Sequence, residues 1–336
     1  MATPALRALR ERFAGAWITY VGRPAALATL AGTADADEAL ADNGDLGSLA
    51  RRLRGHRLDL AVLLPNSFRV ALTARLGAAR RIAGYARDAR GFLLTDPLVP
   101  ARGPDGRYLP TPARDYYARL VEALGAPVAT RELSVPVRGE DLAMADALLA
   151  EAGGDDACPI VVLNPGASFG TSKMWDASRY AVLADLLIER RGARVVINAA
   201  PSERHVAAWV AAEMRHRPAI NFAERTNTLG LLKALLARGD LLVTNDTGAR
   251  HLGVAVGIGV VTVFGSTDPE WSRIDYPHER IVREAVACSP CQRKVCPQPP
   301  GPTYHQCLQR VSAESVYEAA AELLDRPGAG GKAKRS

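Results

Sequence analysis

Short apolar runs alternate with stretches of helical apolar spacing along most of the chain. In the first half, the pattern predicts elements in this order: helix 1–12, strand 16–21, strand 58–64, helix 68–76, strand 80–85, helix 113–124 and helix 141–152. Such alternation is typical of an α/β protein with a doubly wound parallel sheet. No strand precedes the first predicted helix.

The second half repeats the alternation after a Gly-Gly-Asp-Asp segment at 153–156 that is typical of a linker. Its predicted elements are strand 159–163, helix 177–191, strand 194–198, helix 203–215, strand 219–222, helix 229–237, strand 260–264 and helix 312–324. The sequence therefore predicts a first domain at 1–152, a second domain with a closing helix at 153–326, and a flexible basic tail at 327–336. Because ligands bind beyond the carboxyl ends of parallel strands, we expect the site in the cleft between the domains.

Composition narrows the range of partners. The 336 residues are 48% hydrophobic, and 42 basic against 36 acidic residues give a net charge of +6. This excess suits an acidic ligand or an anionic membrane surface, and it is too small and dispersed to indicate nucleic acid. No run of 18 apolar residues and no signal pattern is present, so we expect a cytoplasmic protein.

The stretch 241–255 holds the strongest candidate for a binding site. An apolar strand runs into Asn245-Asp246-Thr247-Gly248, and helical spacing follows. The first N–H groups of a helix lack intrahelical partners and lie at the positive end of its dipole, so this turn can bind a phosphate. His251 lies one turn after Thr247 on the same face. The alternative interpretation is an aspartate cap followed by a structural histidine.

Two further strand ends carry polar candidates. The loop 164–175 contains Ser168 and Lys173, which suit a phosphate, although a lysine in a surface loop is more often solvated. Glu203, after the strand 194–198, suits a ribose diol or serves as a first-turn helix acid.

The cysteines form a second constellation. Cys288, Cys291, Cys296 and Cys307 lie within twenty residues in a proline-rich segment, with His305 beside them. A structural metal site, free or redox-active thiols, and disulfides are the three interpretations. For the metal, four thiolates suit zinc, whereas the spacing fits no standard iron–sulfur pattern well. Cys158, far from this group, is a small buried hydrophobe in our interpretation.

Four segments, taken together, resemble glycosyltransferase family 9, the bacterial lipopolysaccharide heptosyltransferases, and within it the heptosyltransferase II type. They are Leu-Pro-Asn-Ser at 64–67, Asn-Pro-Gly-Ala-Ser with Lys-Met-Trp at 164–175, Asn-Asp-Thr-Gly-Ala-Arg-His at 245–251, and Phe-Gly-Ser-Thr-Asp-Pro at 264–269. The resemblance covers essentially the whole chain.

The resemblance implies a GT-B fold, with two Rossmann-like domains facing a cleft. It implies an inverting glycosyltransferase that transfers a heptose from ADP-heptose to a lipid A-linked lipopolysaccharide core, without a cofactor for catalysis. Lys173 would stabilise the leaving group. The implied nucleotide-sugar-binding residues are Ser168, Lys173, Glu203, Thr228, Leu229, Asp246, Thr247, Gly248 and His251.

The first domain would hold the acceptor, and the protein would act as a monomer on the cytoplasmic face of the inner membrane. Asn66, Ser67 and Arg69 are the candidate acceptor-binding residues, and Arg75, Arg80 and Arg81 are further candidates for acceptor phosphates. Asp35-Ala36-Asp37 is weak as a metal site, because no predicted strand directly precedes it.

The chain departs from the family pattern at its beginning. The family has a first strand that ends in Gly-Asp, and that aspartate is its proposed general base, whereas Thr3-Pro4 matches only the part of the motif after that aspartate. We therefore expect the strand and its carboxylate upstream of Met1, with a degenerate nucleotide-sugar binder as the alternative. An epimerase lacks a candidate acid–base pair here. A dehydrogenase is disfavoured because no Gly-x-Gly-x-x-Gly follows a strand.

Overall fold

The computed structural model describes residues 1–155, 157–167 and 169–326. Contacts between Cα atoms divide the chain into two compact units. Unit 1 comprises Met1–Leu133 with Glu270–Ile274, and unit 2 comprises Ser134–Pro269 with Asp275–Ser336.

Unit 1 builds two separate parallel sheets. One pairs β1 with β2, and the other has the order β3-β4-β5. The elements in chain order are α1 (Thr3–Arg12), β1 (Thr19–Gly22), α2 (Pro24–Leu30), β2 (Glu38–Ala41), α3 (Leu46–Gly55), β3 (Leu60–Leu63), α4 (Phe68–Leu76), β4 (Arg81–Tyr85), β5 (Asp96–Leu98) and α5 (Ala113–Glu122).

The polar stretch after β1 contains elements that the apolar pattern did not predict. Asp45 accepts hydrogen bonds from the amides of Gly47 and Ser48 and so caps α3. Leu49 and Leu53 of α3 pack with Leu40 of β2 in a small core. Asp45, an acidic residue of this polar stretch, therefore marks the start of a helix.

Unit 2 is built on a wider sheet. In the described part of the chain, six parallel strands have the order β11-β10-β9-β6-β7-β8. The elements are α6 (Gly139–Glu151), β6 (Ile160–Asn164), α7 (Ala177–Arg191), β7 (Arg194–Ile197), α8 (Arg204–Glu213), β8 (Ile220–Asn221), α9 (Leu229–Arg238), β9 (Leu241–Asn245), α10 (Gly248–Val256), β10 (Gly259–Val263), β11 (Glu279–Val282), α11 (Gln306–Gln309) and α12 (Ala313–Leu324).

The strand order of unit 2 reverses between β6 and β9. From β6 the chain proceeds outward through β7 and β8, and from β9 it proceeds outward through β10 and β11. Every residue of β6, β9 and β10 is buried. In an open parallel sheet such a reversal leaves a crevice at the carboxyl ends of the two central strands, where ligands bind.

Residues 134–152 group with unit 2, although the sequence analysis placed them in the first domain. Helix α6 packs on α9, and the Lys233 ammonium donates to the carbonyl of Pro136 at 3.0 Å. Asp141 of α6 lies against Gly230 so closely that a Cβ on the glycine would lie 2.4 Å from its Oδ1. Helix α6 is thus part of the helical layer of the second sheet.

Among the helices of the described residues, none combines the length and apolar character needed to span a bilayer.

Candidate functional site

A chain of buried amides joins the carboxyl ends of the strands in unit 2. Asn227 donates to Asn198 Oδ1 at 2.5 Å, and Asn198 donates to Asn164 Oδ1 at 2.5 Å. Asn164 in turn donates to the hydroxyls of Thr244 and Thr247 at 3.2 and 3.4 Å. Buried amides are stabilised only when their donors and acceptors are paired, so this network fixes the strand ends relative to one another.

Asn245, the last residue of β9, fixes the loop that follows β6. Its Oδ1 accepts from the amide of Trp175 at 3.2 Å and the hydroxyl of Tyr180 at 3.3 Å. Its Nδ2 donates to the carbonyl of Pro165 at 2.8 Å. The sequence analysis quoted Asn164 and Asn245 within motifs without assigning them a role. The signal was an asparagine ending each of two largely apolar strands.

Lys173 and Asp246, which the sequence analysis selected separately, form a buried ion pair. The ammonium lies 2.5 Å from Asp246 Oδ2 and 3.2 Å from the Asp246 carbonyl oxygen, and it lies 4.7 Å from the centre of the Phe169 ring. Thr267 donates to the same carboxylate oxygen at 2.9 Å, and Arg250 lies 3.7 Å from the other. Both oxygens of the Asp246 carboxylate therefore face hydrogen-bond donors or cationic side chains.

Asp246 remains charged in this setting. Burial alone would raise the pKa of its carboxyl, but the Lys173 ammonium, with Thr267 and Arg250, holds that pKa below its usual value. Arg250 is itself fully buried and makes a two-bond pair with Glu279 at 2.6 and 2.9 Å. The carboxylate therefore orients Lys173, and its negative charge is offset by its neighbours.

The start of α10 presents free space beside backbone N–H groups. In the described residues, no side chain caps this helix, because the Thr247 hydroxyl is engaged with Asn164 and Thr244. A Cβ on Gly248 would meet no described atom within 4 Å. A helix start with uncapped N–H groups and open approach favours an anion.

His251 follows one turn later as a neutral imidazole. Burial lowers its pKa to about 3, and the Arg250 guanidinium acts in the same direction. Its Nδ1 is buried and has no hydrogen-bond partner among the described residues. This ring can therefore donate or accept a hydrogen bond without carrying charge.

Glu203 lies over the loop that follows β6. A Cβ on Gly166 would lie 2.2 Å from Glu203 Oε2, so glycine permits this approach. Burial raises the pKa of Glu203. Thr228 caps α9 by accepting from the amide of Leu231 at 3.1 Å, and Leu229 begins that helix. Ser168 lies outside the described residues.

The candidate acceptor residues of unit 1 are engaged in local structure. Asn66 Oδ1 accepts from the Tyr116 hydroxyl at 3.1 Å and from Arg90 at 3.3 Å. Ser67 caps α4 by accepting from the amide of Val70 at 3.3 Å. Both side chains therefore have hydrogen-bond partners within unit 1.

Three of the four candidate arginines of unit 1 already have carboxylate partners. The hydrogen bonds from Arg69 lower the pKa of Asp42 to about 2. Arg75 is exposed. The pairs are Arg69 with Asp42, Arg80 with Asp59, and Arg81 with Asp96.

The candidate metal ligands lie between β11 and α12. Cys288, Cys291 and Cys296 are partly buried, and Cys307 of α11 is buried. Burial, with a smaller contribution from the other three thiols, raises the pKa of Cys307 to about 11. Among the residues that the structure describes, no three metal-ligating side chains are arranged to hold an ion.

Comparisons with known proteins agree with this architecture. A sequence model of glycosyltransferase family 9 (heptosyltransferase) matches residues 46–301. Lipooligosaccharide heptosyltransferase 2 of Campylobacter jejuni serotype O:2 is 32% identical over 168 residues, which are 49% of this chain and 51% of that protein. The match thus spans about half the length of that relative. Lipopolysaccharide heptosyltransferase 2 of Salmonella typhimurium is 27% identical over 85% of this chain and 81% of its own.

The structural comparison covers nearly the whole chain. The structure of Escherichia coli ADP-heptose LPS heptosyltransferase II superposes with a TM-score of 0.76 at 23% identity, over 96% of this chain and 94% of that one. This likeness identifies the fold as GT-B, and the predicted fold class is confirmed. The chain belongs to glycosyltransferase family 9, as its motifs predicted.

Proposed function

We propose that the protein is an inverting glycosyltransferase that transfers a heptose from ADP-heptose to a lipid A-linked lipopolysaccharide core. One observation carries the proposal. The switch point of the unit 2 sheet brings together an uncapped helix start, at Thr247 and Gly248, and the Lys173 ammonium, held at 2.5 Å by a buried carboxylate. This combination suits a diphosphate.

In the proposed reaction, the acceptor hydroxyl gives its proton to the general-base carboxylate of the family motif and attacks the anomeric carbon of the heptose, while the bond between that carbon and the diphosphate breaks. Negative charge then grows on the leaving phosphate oxygen. Lys173 and the N–H groups of Thr247 and Gly248 stabilise this charge in a fixed arrangement, which lowers the barrier. Asp246 acts through Lys173, as a positioning residue.

The remaining nucleotide-sugar contacts are assigned from the family motifs. Ser168 contacts the diphosphate, Glu203 the ribose, and Thr228 and Leu229 the adenine. The neutral His251 ring, with its unpaired Nδ1 in the described structure, contacts the diphosphate or the heptose without adding charge. Asn66, Ser67 and Arg69 contact the acceptor while keeping their structural partners.

The chemical step in this proposal uses no metal cofactor. The protein works as a monomer at the cytoplasmic face of the inner membrane, where its basic excess of +6 favours an anionic surface. Any metal at the four cysteines is structural in this scheme.

The test combines nucleotide binding with transfer. Calorimetric titration with ADP should show binding to the wild-type protein and a loss of about 1–3 kcal/mol in Lys173→Ala. The matched control is Arg217→Ala. Arg217 is an exposed cation that precedes β8, so it lies near the amino ends of the parallel strands, whereas the candidate site lies at their carboxyl ends. Equal affinities in all three proteins would remove the assigned site.

Transfer is then measured with ADP-heptose and a purified core acceptor, by mass spectrometry of the product. ADP binding that depends on Lys173, together with transfer, supports the enzyme. Binding without transfer by the native protein would favour the alternative of a non-catalytic nucleotide-sugar binder.

A further inference from the structure

Thr244 places a hydroxyl group in the apolar interior of the unit 2 sheet, beside the candidate site. It is the fourth residue of β9, it is 0% exposed, and the three residues before it are leucine, leucine and valine. A valine at this position would fill the same space without a buried hydroxyl, which is costly to desolvate unless it is hydrogen-bonded. A threonine buried in such a strand therefore calls for hydrogen-bond partners.

The Thr244 hydroxyl takes part in three hydrogen bonds. It accepts from Asn164 Nδ2 at 3.2 Å, donates to the Asn245 carbonyl at 3.0 Å, and lies 3.1 Å from the hydroxyl of Thr247. Because its single proton is used on the Asn245 carbonyl, the Thr247 hydroxyl is the donor in the last of these bonds. Asn164 also donates to the Thr247 hydroxyl, at 3.4 Å. Thr244 and Asn164 therefore hold the side chain of Thr247 against the strand ends.

Thr247 occupies the position from which a threonine commonly caps a helix. It directly precedes α10, and its backbone is extended, with φ −135° and ψ 179°. Thr228 precedes α9 with a similar backbone, φ −121° and ψ 161°, and its hydroxyl accepts from the amide of Leu231. Ser67 and Ser312 cap α4 and α12 in the same way. Within the part of the chain that the structure describes, Thr247 makes no such bond, although rotation about its Cα–Cβ bond would direct the hydroxyl at the helix.

The engaged hydroxyl leaves the start of α10 open. A threonine cap would take a first-turn amide, at Ala249 or Arg250, and its oxygen would lie over the space beside Gly248. Such a cap and a diphosphate compete, since both place acceptor oxygens at the same helix start. The Lys173 ammonium, bound to the carboxylate and the carbonyl of Asp246, lies at this turn and indicates an anion site independently of the helix.

We propose that Thr244, together with Asn164, is a positioning residue that keeps the hydroxyl of Thr247 off the first amides of α10 and so leaves them available to the diphosphate. Without this restraint, the protein caps its own anion site. The position of the Thr247 hydroxyl is a property of the free protein, and only its effect on ligand binding rests on the proposed function.

The substitution Thr244→Val keeps the shape of the side chain and removes its hydroxyl. If Thr244 only stabilised the fold, this change would loosen the start of α10, and the amides there would exchange with solvent faster. If Thr244 restrains Thr247, the released hydroxyl caps the helix, and the same amides exchange more slowly. The direction of the change in exchange rate therefore separates a positioning role from a merely structural one.

Hydrogen exchange of the ligand-free protein measures this direction. In Thr244→Val, the amides of Ala249 and Arg250 should exchange about fivefold more slowly than in the wild type, the factor that one threonine cap provides. Thr244→Ser keeps a hydroxyl and should exchange at the wild-type rate. Unchanged or faster exchange in Thr244→Val would overturn the inference.

The matched control is Thr262→Val. Thr262 is the cross-strand neighbour of Thr244 on β10, it is equally buried, and its hydroxyl donates to Glu279. The same substitution at this position should give the Ala249 amide no added protection. Slower exchange in both variants would indicate a general effect of removing a buried hydroxyl, and it would contradict the role assigned to Thr244.

Calorimetric titration with ADP tests the effect on the ligand. ADP should bind Thr244→Val about fivefold more weakly than the wild type. In the double variant Thr244→Val/Thr247→Val no hydroxyl remains to cap α10, so ADP should bind it more tightly than Thr244→Val alone. A double variant that binds ADP no better than the single variant would contradict competition by the cap.

The two measurements distinguish this inference from the proposed function. If the wild type does not bind ADP, the proposed function fails, while slower exchange in Thr244→Val would still support the restraint on Thr247. If exchange slows but ADP binds both proteins equally, the proposed function stands and the effect on the ligand is overturned. Should Thr244→Val not fold, Asn164→Leu removes the other hydrogen bond to the Thr247 hydroxyl and is tested by the same two measurements.

Discussion

The two units differ in how deeply their strands, and the polar residues that end them, are buried. In unit 2, β6 and β9 are buried along their whole length, and the polar side chains that end them are joined by a buried network. In unit 1, the described strands form two separate sheets, and most residues of β1 and β3 are only partly buried. Solvent can replace a lost partner at the partly buried strands of unit 1, whereas it does not reach the buried ends of β6 and β9.

The largest difference is expected between two asparagines. Asn245→Ala should lower the free energy of unfolding by about 3 kcal/mol or more, because it leaves the Trp175 amide and the Pro165 carbonyl buried without partners. Asn66→Ala in unit 1 should cost about 1 kcal/mol, since Asn66 is only partly buried and the buried Arg90 keeps its hydrogen bonds to the carbonyls of Tyr85 and Pro65. Urea unfolding followed by circular dichroism measures both. Equal losses would contradict the contrast between the units.

A similar contrast is expected between two ion pairs. In unit 2, the side chains of Lys173 and Asp246 are 13% and 9% exposed, whereas those of Arg80 and Asp59 in unit 1 are 80% and 83% exposed. Lys173→Met should cost about 3 kcal/mol by leaving a buried carboxylate uncompensated, and Arg80→Met should cost nothing measurable.

Thermal unfolding provides the measurement for these pairs. The double variant Lys173→Met/Asp246→Asn should recover much of the loss, since it leaves no uncompensated carboxylate and Arg250 keeps its pair with Glu279. If the double variant melts no higher than the single variant, the loss has another origin.

Substitutions of two glycines of α10 distinguish an effect on packing from an effect on ligand binding. A Cβ on Gly253 would lie 2.8 Å from a methyl of Leu242 and 3.0 Å from one of Val260, so Gly253→Ala should cost about 2 kcal/mol. Gly248→Ala meets open space and should leave stability unchanged while weakening ADP binding. Thermal unfolding and ADP titration of both variants check this. A destabilised Gly248→Ala would show that the helix start is packed in solution.

The smallest effect is expected on the free energy of unfolding at acidic pH. The pKa of Asp246 is lower in the folded protein than its unfolded value of 3.8, so its contribution to stability is present above that value and is lost as the pH falls through the folded pKa. Between pH 5 and pH 2, Asp246→Asn should therefore lose stability less steeply than the wild type. Asp59→Asn is the exposed control and should follow the wild type. Parallel curves for all three proteins would contradict the assignment.

The sequence predicted those features that local pattern determines. Helices Phe68–Leu76 and Ala177–Arg191 have the bounds that their apolar spacing predicted. Strand β11 was missed because Glu279 and Arg280 break its apolar pattern. The buried Glu279 carboxylate is compensated by Arg250 and by the hydroxyl of Thr262.

The sequence motifs predicted which residues belong to the candidate site, but they did not predict which of these residues contact one another. Lys173 and Asp246 were both selected, yet their ion pair joins residues 73 positions apart, which no local pattern reports. The same holds for Asn164 with Thr244, 80 positions apart. The grouping of residues 134–152 with unit 2 has a related origin, since α6 has no local signal of its packing on α9.

The strand order of unit 2 also determines when the site can form during folding. Strand β6 pairs with β7, its neighbour in sequence, but β9 must close a long loop before it pairs with β6. Such non-local pairings are slow, because loop-closure entropy opposes them until the contacts are made. Lys173 comes from one half of the sheet and Asp246 from the other. On a ribosome, the anion site therefore forms only after β9 has been synthesised and added to the sheet, so ADP binding reports completion of this step.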